Sequence, residues 1–518
     1  MTPSFVFQAV AWNFVNETTK HLNERLMSDF MNKTVLVFDF GASSGRAMLG
    51  KFNGETISLE EIHRFENNPV KLGSTFYWDI YRLFYEVRQG ISKAVLAGGF
   101  DSIGVDTWGV DFGLIGRDGA LMEAPVHYRD ERNNGMVDEA LKLFAREPFY
   151  KITGNQFMDI NTVFQLLSLR KNRPHMLDNA ETLLLMPDLF NYLLTGEKKS
   201  EVSIASTTQM MDADKKVWSE EVLTALDIPK SLLTEIVPSG TVVGKLSESI
   251  CHDLNAPKAD VIAVCGHDTQ CAVAAVPTEE KDFIFISCGT WSLFGTELDK
   301  PLINKKSEEL NLTNEAGYGG ATTFLKNIIG LWLIQESRRQ FRREGQEYSF
   351  AELEKLALAA EPFKCFINPD APEFVPEGDI PQRVKDFCKR TGQPVPETVG
   401  EVMRCIYESL ALKYRQAFDE IKVCTGKDYR TINLIGGGTK DGLLCRMTAN
   451  ACNCEVTAGP IEATAYGNAA IQLIAAGAIP DIKAARKIIA ASDSVKTFVP
   501  DSFAEWDKAY ERYVGFQN

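Results

Sequence analysis

The stretch VLVFDFGASSGRAMLGKF (residues 35–52) decides the fold of this chain. An apolar strand leads into a polar turn that contains glycine and serine, and a second apolar strand follows. The stretch DFIFISCGTWSLFGTEL (282–298) repeats this order of strand, polar turn and strand. The repeat suggests two related domains, 33–277 and 281–518, joined by a short segment. Two such domains would face each other across a cleft, which is a common position for a ligand site.

The length and composition of the chain are typical of a globular protein with two large domains. A chain of 518 residues is too long to fold around one ordinary hydrophobic core. Hydrophobic residues make up 45% and charged residues 24%, as in soluble proteins. The net charge of −15 argues against a broad surface for nucleic acid or anionic membranes. An anionic ligand stays compatible with this charge, because backbone N–H groups can bind phosphate.

The eleven cysteines are scattered along the chain, which is typical of reduced thiols in a cytosol. The pair Cys452 and Cys454 has no second pair and no flanking histidine, so it predicts no zinc site. No apolar run approaches the roughly 20 residues that span a bilayer. We therefore expect a cytoplasmic protein without nucleic-acid or membrane partners, either a monomer or a small homo-oligomer.

Strand and helix patterns alternate along the chain, which predicts an α/β fold. Residues 1–32 are interpreted as an N-terminal extension, because no Lys or Arg precedes their apolar segment and no small-residue cleavage site follows it. The patterns predict a hairpin over 46–65 that turns at Asn53-Gly54. They also predict a strand pair over 101–115, a turn at 116–119, and helices within 134–146, 161–172 and 187–195.

Three glycine-containing turns are candidate phosphate or nucleotide sites. In DFGASSGR (39–46), backbone N–H groups and serine hydroxyls could meet phosphate oxygens, and Arg46 could add charge. Thr290 has the corresponding place in SCGTWSLFG (287–295). Both turns can equally be plain hairpin turns, and neither is a Walker A loop. The third turn, Gly436–Gly438, lies between a strand and a helix and allows a ligand to approach the backbone closely. A dinucleotide fingerprint would need glycine in place of Asp441, so that interpretation is weak.

Asp268 interrupts an apolar pattern in VIAVCGHDTQCAVAAV (261–276). The pattern predicts a strand, a turn at Cys265-Gly266 and a helix from Thr269 onward, so Asp268 falls at a helix N-terminus. One interpretation is an N-cap. In the other, the positive helix end keeps the carboxylate ionised at neutral pH, where it can accept a proton from a substrate hydroxyl. His267 and Thr269 could then orient that substrate.

Two further stretches suggest a site for a polar small molecule. DTWGVDF (106–112) offers an aromatic face, an accessible backbone at Gly109, and two acids that are second candidates for the proton acceptor. FLKNIIGLWLIQESRRQF (324–341) is predicted as a helix with Asn327 and Gln335 on related faces. Trp332 and Leu333 are predicted to be core residues.

Taken together, ten short motifs in order resemble the FGGY carbohydrate kinases of the actin-like ATPase superfamily, over about residues 33–500. The motifs are DFGASSGR, DSIGVDTWGVDF, HYRD, LLMPDLFNYLLTG, GHDT, SCGTWSLFG, TNEAG, LKNIIGLWLIQ, CFINP and GGG. The resemblance implies two actin-like, ribonuclease H-like α/β domains facing a central cleft, with sugar and phosphates on the first and nucleotide on the second. It also implies transfer of the ATP γ-phosphate to the 1-hydroxyl of L-rhamnulose, in L-rhamnose breakdown, with Mg²⁺.

The resemblance further implies roles for single residues. Asp268 matches the family's catalytic base, and Asp39 matches an acid near the metal and the phosphates. Positions that match sugar contacts are Gly109, His267, Asp268, Thr269 and Asn327. Positions that match ATP contacts are Ala42, Ser43, Ser44, Gly45, Arg46, Thr290, Gln335 and Gly437. The family often has serine where this chain has Gly266, a departure that leaves the reacting groups in place.

Three alternatives stay open at this point. The first is another ketose kinase, acting for example on fuculose or xylulose, because sugar choice depends on a few hydrogen bonds. The second is a non-catalytic sugar or nucleotide sensor on the same fold, against which the intact Asp268 and both hairpin turns argue. The third and most distant is a Rossmann oxidoreductase, which nicotinamide binding would support.

Overall fold

A computed structural model of the chain describes residues 32–516. The predicted N-terminal extension, residues 1–32, lies outside the described residues except for Asn32. Two mixed β-sheets form the centres of the two halves of the molecule.

The first sheet has six strands around Lys33–Phe40, which pairs antiparallel with Ser44–Phe52 and parallel with Ser102–Thr107. Residues 35–40 are all buried. This explains why the strand is almost continuously apolar, as strands covered on both faces are. The strands of this sheet follow one another in the order Thr241–Lys245, Asp260–Ala263, Ser102–Thr107, Lys33–Phe40, Ser44–Phe52 and Ile57–Glu66.

The second sheet repeats this arrangement around Ile284–Cys288. That strand pairs antiparallel with Trp291–Leu298 and parallel with Thr431–Ile435. Strand order therefore confirms the structural repeat that the sequence predicts. The seven strands follow one another in the order Thr313–Ala316, Thr322–Ile329, Trp291–Leu298, Ile284–Cys288, Thr431–Ile435, Glu455–Ala458 and Lys496–Phe498.

Helices cover the faces of both sheets. Helices of the first half are Ile80–Leu96, Met136–Leu143, Arg146–Thr153, Thr162–Asn172, Pro174–Asn179, Met186–Thr195, Val202–Ser206, Glu220–Ala225, Glu248–Leu254 and Asp268–Ala274. Those of the second half are Lys305–Glu309, Trp332–Arg343, Phe350–Ala359, Ile380–Arg390, Val399–Thr425, Gly442–Cys452, Ala463–Ala475, Ile482–Ser492 and Phe503–Gly515. Across residues 32–516, none of the helices combines the length and apolarity needed to cross a membrane.

Short two-stranded sheets complete the first half. Their paired strands are Val70–Leu72 with Thr75–Tyr77, Phe112–Gly116 with Ala180–Leu185, Ser200–Glu201 with Ile236–Val237, and Met211–Asp212 with Val217–Trp218.

The predicted hairpin at Asn53-Gly54 and the three predicted helical regions of the first half are confirmed. The strand pair predicted over 101–115 is wrong, although both strands exist. Ser102–Thr107 joins the central sheet, whereas Phe112–Gly116 pairs with Ala180–Leu185. The segment between the two strands includes Val110 with a φ of 67°, a left-handed conformation that interrupts an extended strand.

The helix predicted over 324–341 begins only at Trp332. Asn327 lies instead on the strand Thr322–Ile329, in register with Leu293. Between strand and helix the backbone passes very close to its neighbour, since a Cβ on Gly330 would lie 2.3 Å from the Ser292 hydroxyl oxygen. Trp332 and Leu333 are buried, as predicted.

One helix of the second half, Ala463–Ala475, packs directly on the first sheet. Its Asn468 side chain donates to the Gly104 carbonyl at 3.2 Å, and Gln472 donates to the Leu36 carbonyl at 3.1 Å. Gly467 lets the helix touch Asp268–Ala274, because a Cβ there would lie 1.8 Å from the Cys271 carbonyl oxygen. The halves are thus in buried contact along this helix.

Candidate active site

A cavity of about 330 Å³ lies between the two halves. Twelve of the predicted site residues line it, and they come from both halves: Asp39, Ala42, Ser43, Arg46, Gly109, His267, Asp268, Thr269, Thr290, Asn327, Gln335 and Gly437. The structure therefore brings together residues that are up to about four hundred positions apart in the sequence.

Ser44 and Gly45, which the resemblance matched to ATP contacts, are not among the residues that line this cavity. Both shape the hairpin turn instead. The Ser44 carbonyl accepts a hydrogen bond from Gly41 N–H at 2.9 Å. Gly45 packs against Phe65, whose ring would lie 2.3 Å from a Cβ at this position. These two residues support the turn that presents Ala42 and Ser43 to the cavity.

The two hairpin turns have equivalent places in the two halves. Gly289 N–H donates to the Trp291 carbonyl at 2.8 Å and closes the second turn much as Gly41 closes the first. The Thr290 carbonyl also accepts from the N–H groups of Gly330 and Trp332, each at 3.2 Å. The second turn is therefore anchored to the start of the helix that carries Gln335.

Arg46 is an ion-pair centre and not a free cation. Its guanidinium lies 2.6 Å from an Asp39 carboxylate oxygen and also contacts Glu462. Two carboxylates thus balance its charge, so Arg46 orients Asp39 at the cavity wall and brings no unpaired positive charge to it. Glu462 was missed by sequence reasoning because it is 416 positions away.

Asp268 is the first residue of the helix Asp268–Ala274, and the N-cap is His267. The N-cap interpretation of Asp268 is therefore wrong by one position. Its carboxylate accepts from Thr269 N–H at 2.6 Å, and its side chain is 29% exposed in the cavity. Burial raises the pKa of Asp268 to about 6, against the lowering effect of His267. The helix end alone does not set its ionisation, but the carboxyl is still mostly ionised at pH 7.

The loop before Asp268 is fixed by buried contacts. Gly266 N–H donates to a Glu201 carboxylate oxygen at 2.8 Å, and its carbonyl accepts from Thr107 N–H at 2.9 Å. A Cβ on Gly266 would lie 2.8 Å from a Pro187 ring carbon. The local packing thus accounts for the glycine at this position.

His267 is held by a carboxylate from the opposite half. Its Nδ1 lies 2.8 Å from a Glu315 oxygen, and its Nε2 lies 3.6 Å from an Asp268 oxygen. Burial by itself lowers the pKa of His267, but the charge and hydrogen bond of Glu315 raise it above its ordinary value. Glu315 also accepts from Gln270 at 2.9 Å. Glu315 was missed as a functional residue, and the only sequence signal was an acid within the motif TNEAG.

The two other candidates for the proton acceptor, Asp106 and Asp111, both accept hydrogen bonds from other side chains. Asp106 is fully buried and accepts from Asn468 at 2.6 Å, and burial followed by the charge of Asp39 holds its pKa well above the usual range. Asp111 accepts from the indole N–H groups of Trp78 and Trp108 at 2.6 and 3.0 Å. Neither lines the cavity, so Asp268 is the better placed base.

Asn327 is fixed by a residue that sequence reasoning missed. The Gln156 side-chain oxygen accepts from both the backbone N–H and the side-chain amide of Asn327, at 3.0 and 3.1 Å. Gln156 belongs to the first half and Asn327 to the second. Both line the cavity, together with Trp108 and Met158, so this end combines amide groups with apolar surface.

The triple glycine has three distinct environments. Gly436 has a φ of 84°, which favours glycine. A Cβ on Gly438 would lie 2.2 Å from the Cys288 sulfur, whereas a Cβ on Gly437 would meet nothing within 4 Å. Asp441 caps the following helix by accepting from Leu444 N–H at 2.9 Å. Of the three, only Gly437 therefore combines open space with a place on the cavity wall.

The chain belongs to the FGGY family of carbohydrate kinases. The N-terminal domain of that family matches residues 34–275, and its C-terminal domain matches residues 284–476. The chain is 41% identical to a rhamnulokinase of Bacteroides thetaiotaomicron, over 94% of this chain and 99% of that protein. It is 37% identical to a rhamnulokinase of Ligilactobacillus salivarius, with the same coverage of both chains.

Solved structures of sugar and glycerol kinases share the fold. The xylulose kinase of Lactobacillus acidophilus superposes with a TM-score of 0.77 at 16% identity, over 94% of this chain and 98% of that one. The glycerol kinase of Plasmodium falciparum, solved with ADP, gives a TM-score of 0.73 at 16% identity, over 93% and 98% of the two chains. The two-domain α/β architecture is therefore that of the actin-like sugar kinases.

Proposed function

We propose that the protein transfers the γ-phosphate of ATP to the 1-hydroxyl of L-rhamnulose and releases L-rhamnulose 1-phosphate and ADP. The observation that carries the proposal is that the Asp268 carboxylate opens onto the same cavity as both hairpin turns and Gly437. The rhamnulokinase relatives, aligned over nearly the whole chain, support the choice of sugar. The proposal places the enzyme in L-rhamnose breakdown in the cytoplasm, where its eleven free cysteines would stay reduced.

In the proposed reaction, Asp268 accepts the proton of the sugar 1-hydroxyl as that oxygen attacks the γ-phosphorus. The new O–P bond forms while the bond from the γ-phosphorus to the bridging oxygen breaks, and ADP leaves. Phosphoryl transfer needs positioning and charge stabilisation more than covalent catalysis. A carboxyl with a pKa of about 6 is well suited to general-base catalysis near neutral pH.

The residues on the cavity wall divide into two groups under this proposal. The turns that contain Ala42, Ser43 and Thr290 would hold the phosphates through backbone N–H and hydroxyl groups. Gly437 would receive the nucleoside, with Gln335 beside it. At the other end, the residues that would contact the ketose are Gly109, His267, Thr269 and Asn327. Ser44, Gly45 and Arg46 would act through the shape of the first turn and the orientation of Asp39.

A magnesium ion fits the donors of this cavity. Asp39 and Asp268 both line it, and Mg²⁺ is usually bound by one or two carboxylates together with substrate phosphates. Asp39 would hold it, and the ion would neutralise charge on the phosphates. Arg46 keeps Asp39 facing the cavity at 2.6 Å from its own guanidinium.

We expect kcat/KM for the ketose to fall as the pH drops through about 6. Asp268 must be ionised to accept a proton, and burial raises its pKa to about 6. Below that pH the rate should decline about tenfold per pH unit. Steady-state rates across the acidic range check this, with the melting temperature followed at each pH to exclude unfolding. A profile that stays flat through pH 6 would contradict the assignment of the base.

In the variant Glu315→Gln, the fall of kcat/KM at acidic pH, the acidic limb of the pH profile, should begin at a higher pH. Glu315 favours the protonated form of His267, and a protonated His267 favours ionised Asp268. Without the Glu315 charge, His267 is less readily protonated and stabilises the Asp268 carboxylate less, so the apparent pKa of the base should rise. The rate at neutral pH should fall and then recover in alkaline buffer, which pH–rate profiles of wild type and variant will show.

Glu408→Gln is the matched control for this variant. Glu408 is also a fully buried carboxylate, but it pairs with Arg404 and accepts from Phe363 N–H at 2.9 Å, outside the cavity. It should leave the pH profile in place whatever its effect on stability. An unchanged acidic limb in Glu315→Gln would reduce Glu315 to a packing role.

A coupled assay of ADP release across L-rhamnulose, L-fuculose and D-xylulose tests the proposed function. We expect the highest kcat/KM with L-rhamnulose. A higher value with another ketose would overturn the substrate and leave the kinase class intact. Binding of sugar and ATP without ADP release from any ketose would instead favour the non-catalytic sensor.

A further inference from the structure

Three cysteine thiols meet in the interior of the second half, away from the cavity. The sulfur atoms of Cys365, Cys388 and Cys405 all lie within 4.8 Å of one another. Each residue is at most 2% exposed. They come from three separate segments, so the cluster is a product of tertiary folding and not of sequence spacing. We name it the three-thiol cluster.

Buried contacts hold the segment that carries Cys365 on both sides. Phe366 and the side-chain amide of Gln393 exchange two hydrogen bonds, each of 2.8 Å. Ile367 N–H donates at 2.9 Å to the Ser409 hydroxyl, which itself donates to the Cys405 carbonyl at 2.6 Å. Two of the three thiols are therefore positioned relative to each other before any ligand arrives.

Thiolate sulfur selects soft, thiophilic ions. A central atom bonded to three sulfurs at about 2.3 Å needs them at most about 4 Å apart, so inward movements of under about 1 Å complete such a site. Within residues 32–516, no histidine, aspartate or glutamate joins the three sulfurs at ligand distance. A zinc ion would therefore lack the fourth protein ligand that structural sites supply.

Charge decides among the thiophilic ions. The nearby ionic groups are already paired, Lys364 with Glu401 and Arg404 with Glu408. Three thiolates around a monovalent or divalent ion would leave net negative charge in an apolar interior, which is costly without a partner. Three thiolates around a trivalent centre give a neutral complex. The cluster therefore favours a trivalent ion.

We propose that the three-thiol cluster is a binding site for a trivalent thiophilic element. Arsenic(III) is such an element, and it can be supplied in solution as arsenous acid. Arsenous acid exchanges its three hydroxyl groups for the three thiols. Three S–H bonds and three As–O bonds break, three As–S bonds form, and three water molecules leave. Neither arsenic nor sulfur changes oxidation state, so no oxidant or reductant takes part. The inference is independent of the proposed sugar kinase activity.

Titration of the reduced full-length protein with sodium arsenite, in a phosphine reductant free of added thiols, tests the site. We expect one arsenic per chain, and a protein mass that rises by one arsenic atom less three hydrogen atoms. Cys388→Ala and Cys365→Ala should each weaken binding at least about tenfold, since even the loss of a ligand's hydrogen-bond partner weakens metal binding about 10–100-fold.

Cys454→Ala is the control, because Cys454 is buried but lies outside the cluster. It should bind arsenic as the wild type does. Equal affinity of wild type and both cluster variants would overturn the proposal, and so would tighter binding of Zn²⁺ than of arsenic(III). If neither variant folds, the wild-type mass decides, because a gain of one arsenic and one oxygen atom less one hydrogen atom would mark a two-thiol complex that keeps a hydroxyl group, and would exclude a three-thiol complex.

Discussion

Asp268→Asn should lower kcat by about 10²–10⁴-fold, the usual contribution of a general base, because an amide cannot take up the proton of the sugar hydroxyl. Sugar affinity should change little, since asparagine keeps the size of the side chain and one acceptor oxygen. Steady-state rates with saturating ATP and ketose, together with calorimetric sugar binding, check both expectations. A kcat within a few-fold of wild type would assign Asp268 to helix structure alone.

The stability of this variant separates the two roles further. The pKa of Asp268 is raised from 3.8 to about 6 in the folded protein. The stabilisation from its protonated form is therefore complete below about pH 3.8 and is lost as the pH rises through about 6. At pH 7 the wild type holds an ionised carboxylate in a poorly solvated place, which asparagine does not. We expect Asp268→Asn to melt at the same temperature or higher.

Asp481→Asn is the matched control for Asp268→Asn. Asp481 caps the helix Ile482–Ser492 by accepting from Ala484 N–H at 2.8 Å, and it does not line the cavity. The same chemical change at a helix start should therefore leave kcat unchanged. A similar loss of rate in both variants would point to a general effect on the fold.

Gly437→Val should raise the KM for ATP far more than the KM for the ketose. A Cβ at Gly437 meets no protein atom within 4 Å, so the new side chain extends into the cavity where the nucleotide is proposed to lie. Overpacking of a tight site costs about 1–3 kcal/mol, which corresponds to about 5- to 150-fold in affinity. Initial rates with each substrate varied in turn will measure both constants.

Gly442→Val controls for the new side chain itself. Gly442 lies a few residues further along the chain and does not line the cavity. A Cβ at this position would likewise meet nothing within 4 Å. The variant should keep the ATP KM of the wild type. An unchanged ATP KM in Gly437→Val would place the nucleotide elsewhere.

The strand–turn–strand units and the position of Asp268 near a helix start could be predicted because each depends on neighbours in sequence. Short, almost continuously apolar runs mark the central strands, and glycine with serine or threonine marks the turns. The prediction that Asn327 lies on a helix was wrong, and the reason is physical. A short apolar run fits a buried strand and a buried helix equally, and the close contact at Gly330 decides between them.

The partners of the site residues could not be predicted. Glu315 reaches His267, Gln156 reaches Asn327, and Glu462 reaches Arg46 only because the two halves face each other. No local pattern carries that information. The same holds for the three-thiol cluster, whose members have no metal-ligand spacing in the sequence.

The helix Ala463–Ala475 has a consequence for how the chain unfolds. Four of its alanines lie in one continuous apolar cluster with Val35 and Val37 of the first sheet and Phe285 of the second: Ala463, Ala465, Ala469 and Ala470. Neither half therefore has a complete interior by itself, although the sequence contains two domains. Loss of one half would uncover apolar surface on the other, so the two are thermodynamically coupled. The chain should behave in denaturation as one cooperative unit and not as two independent ones.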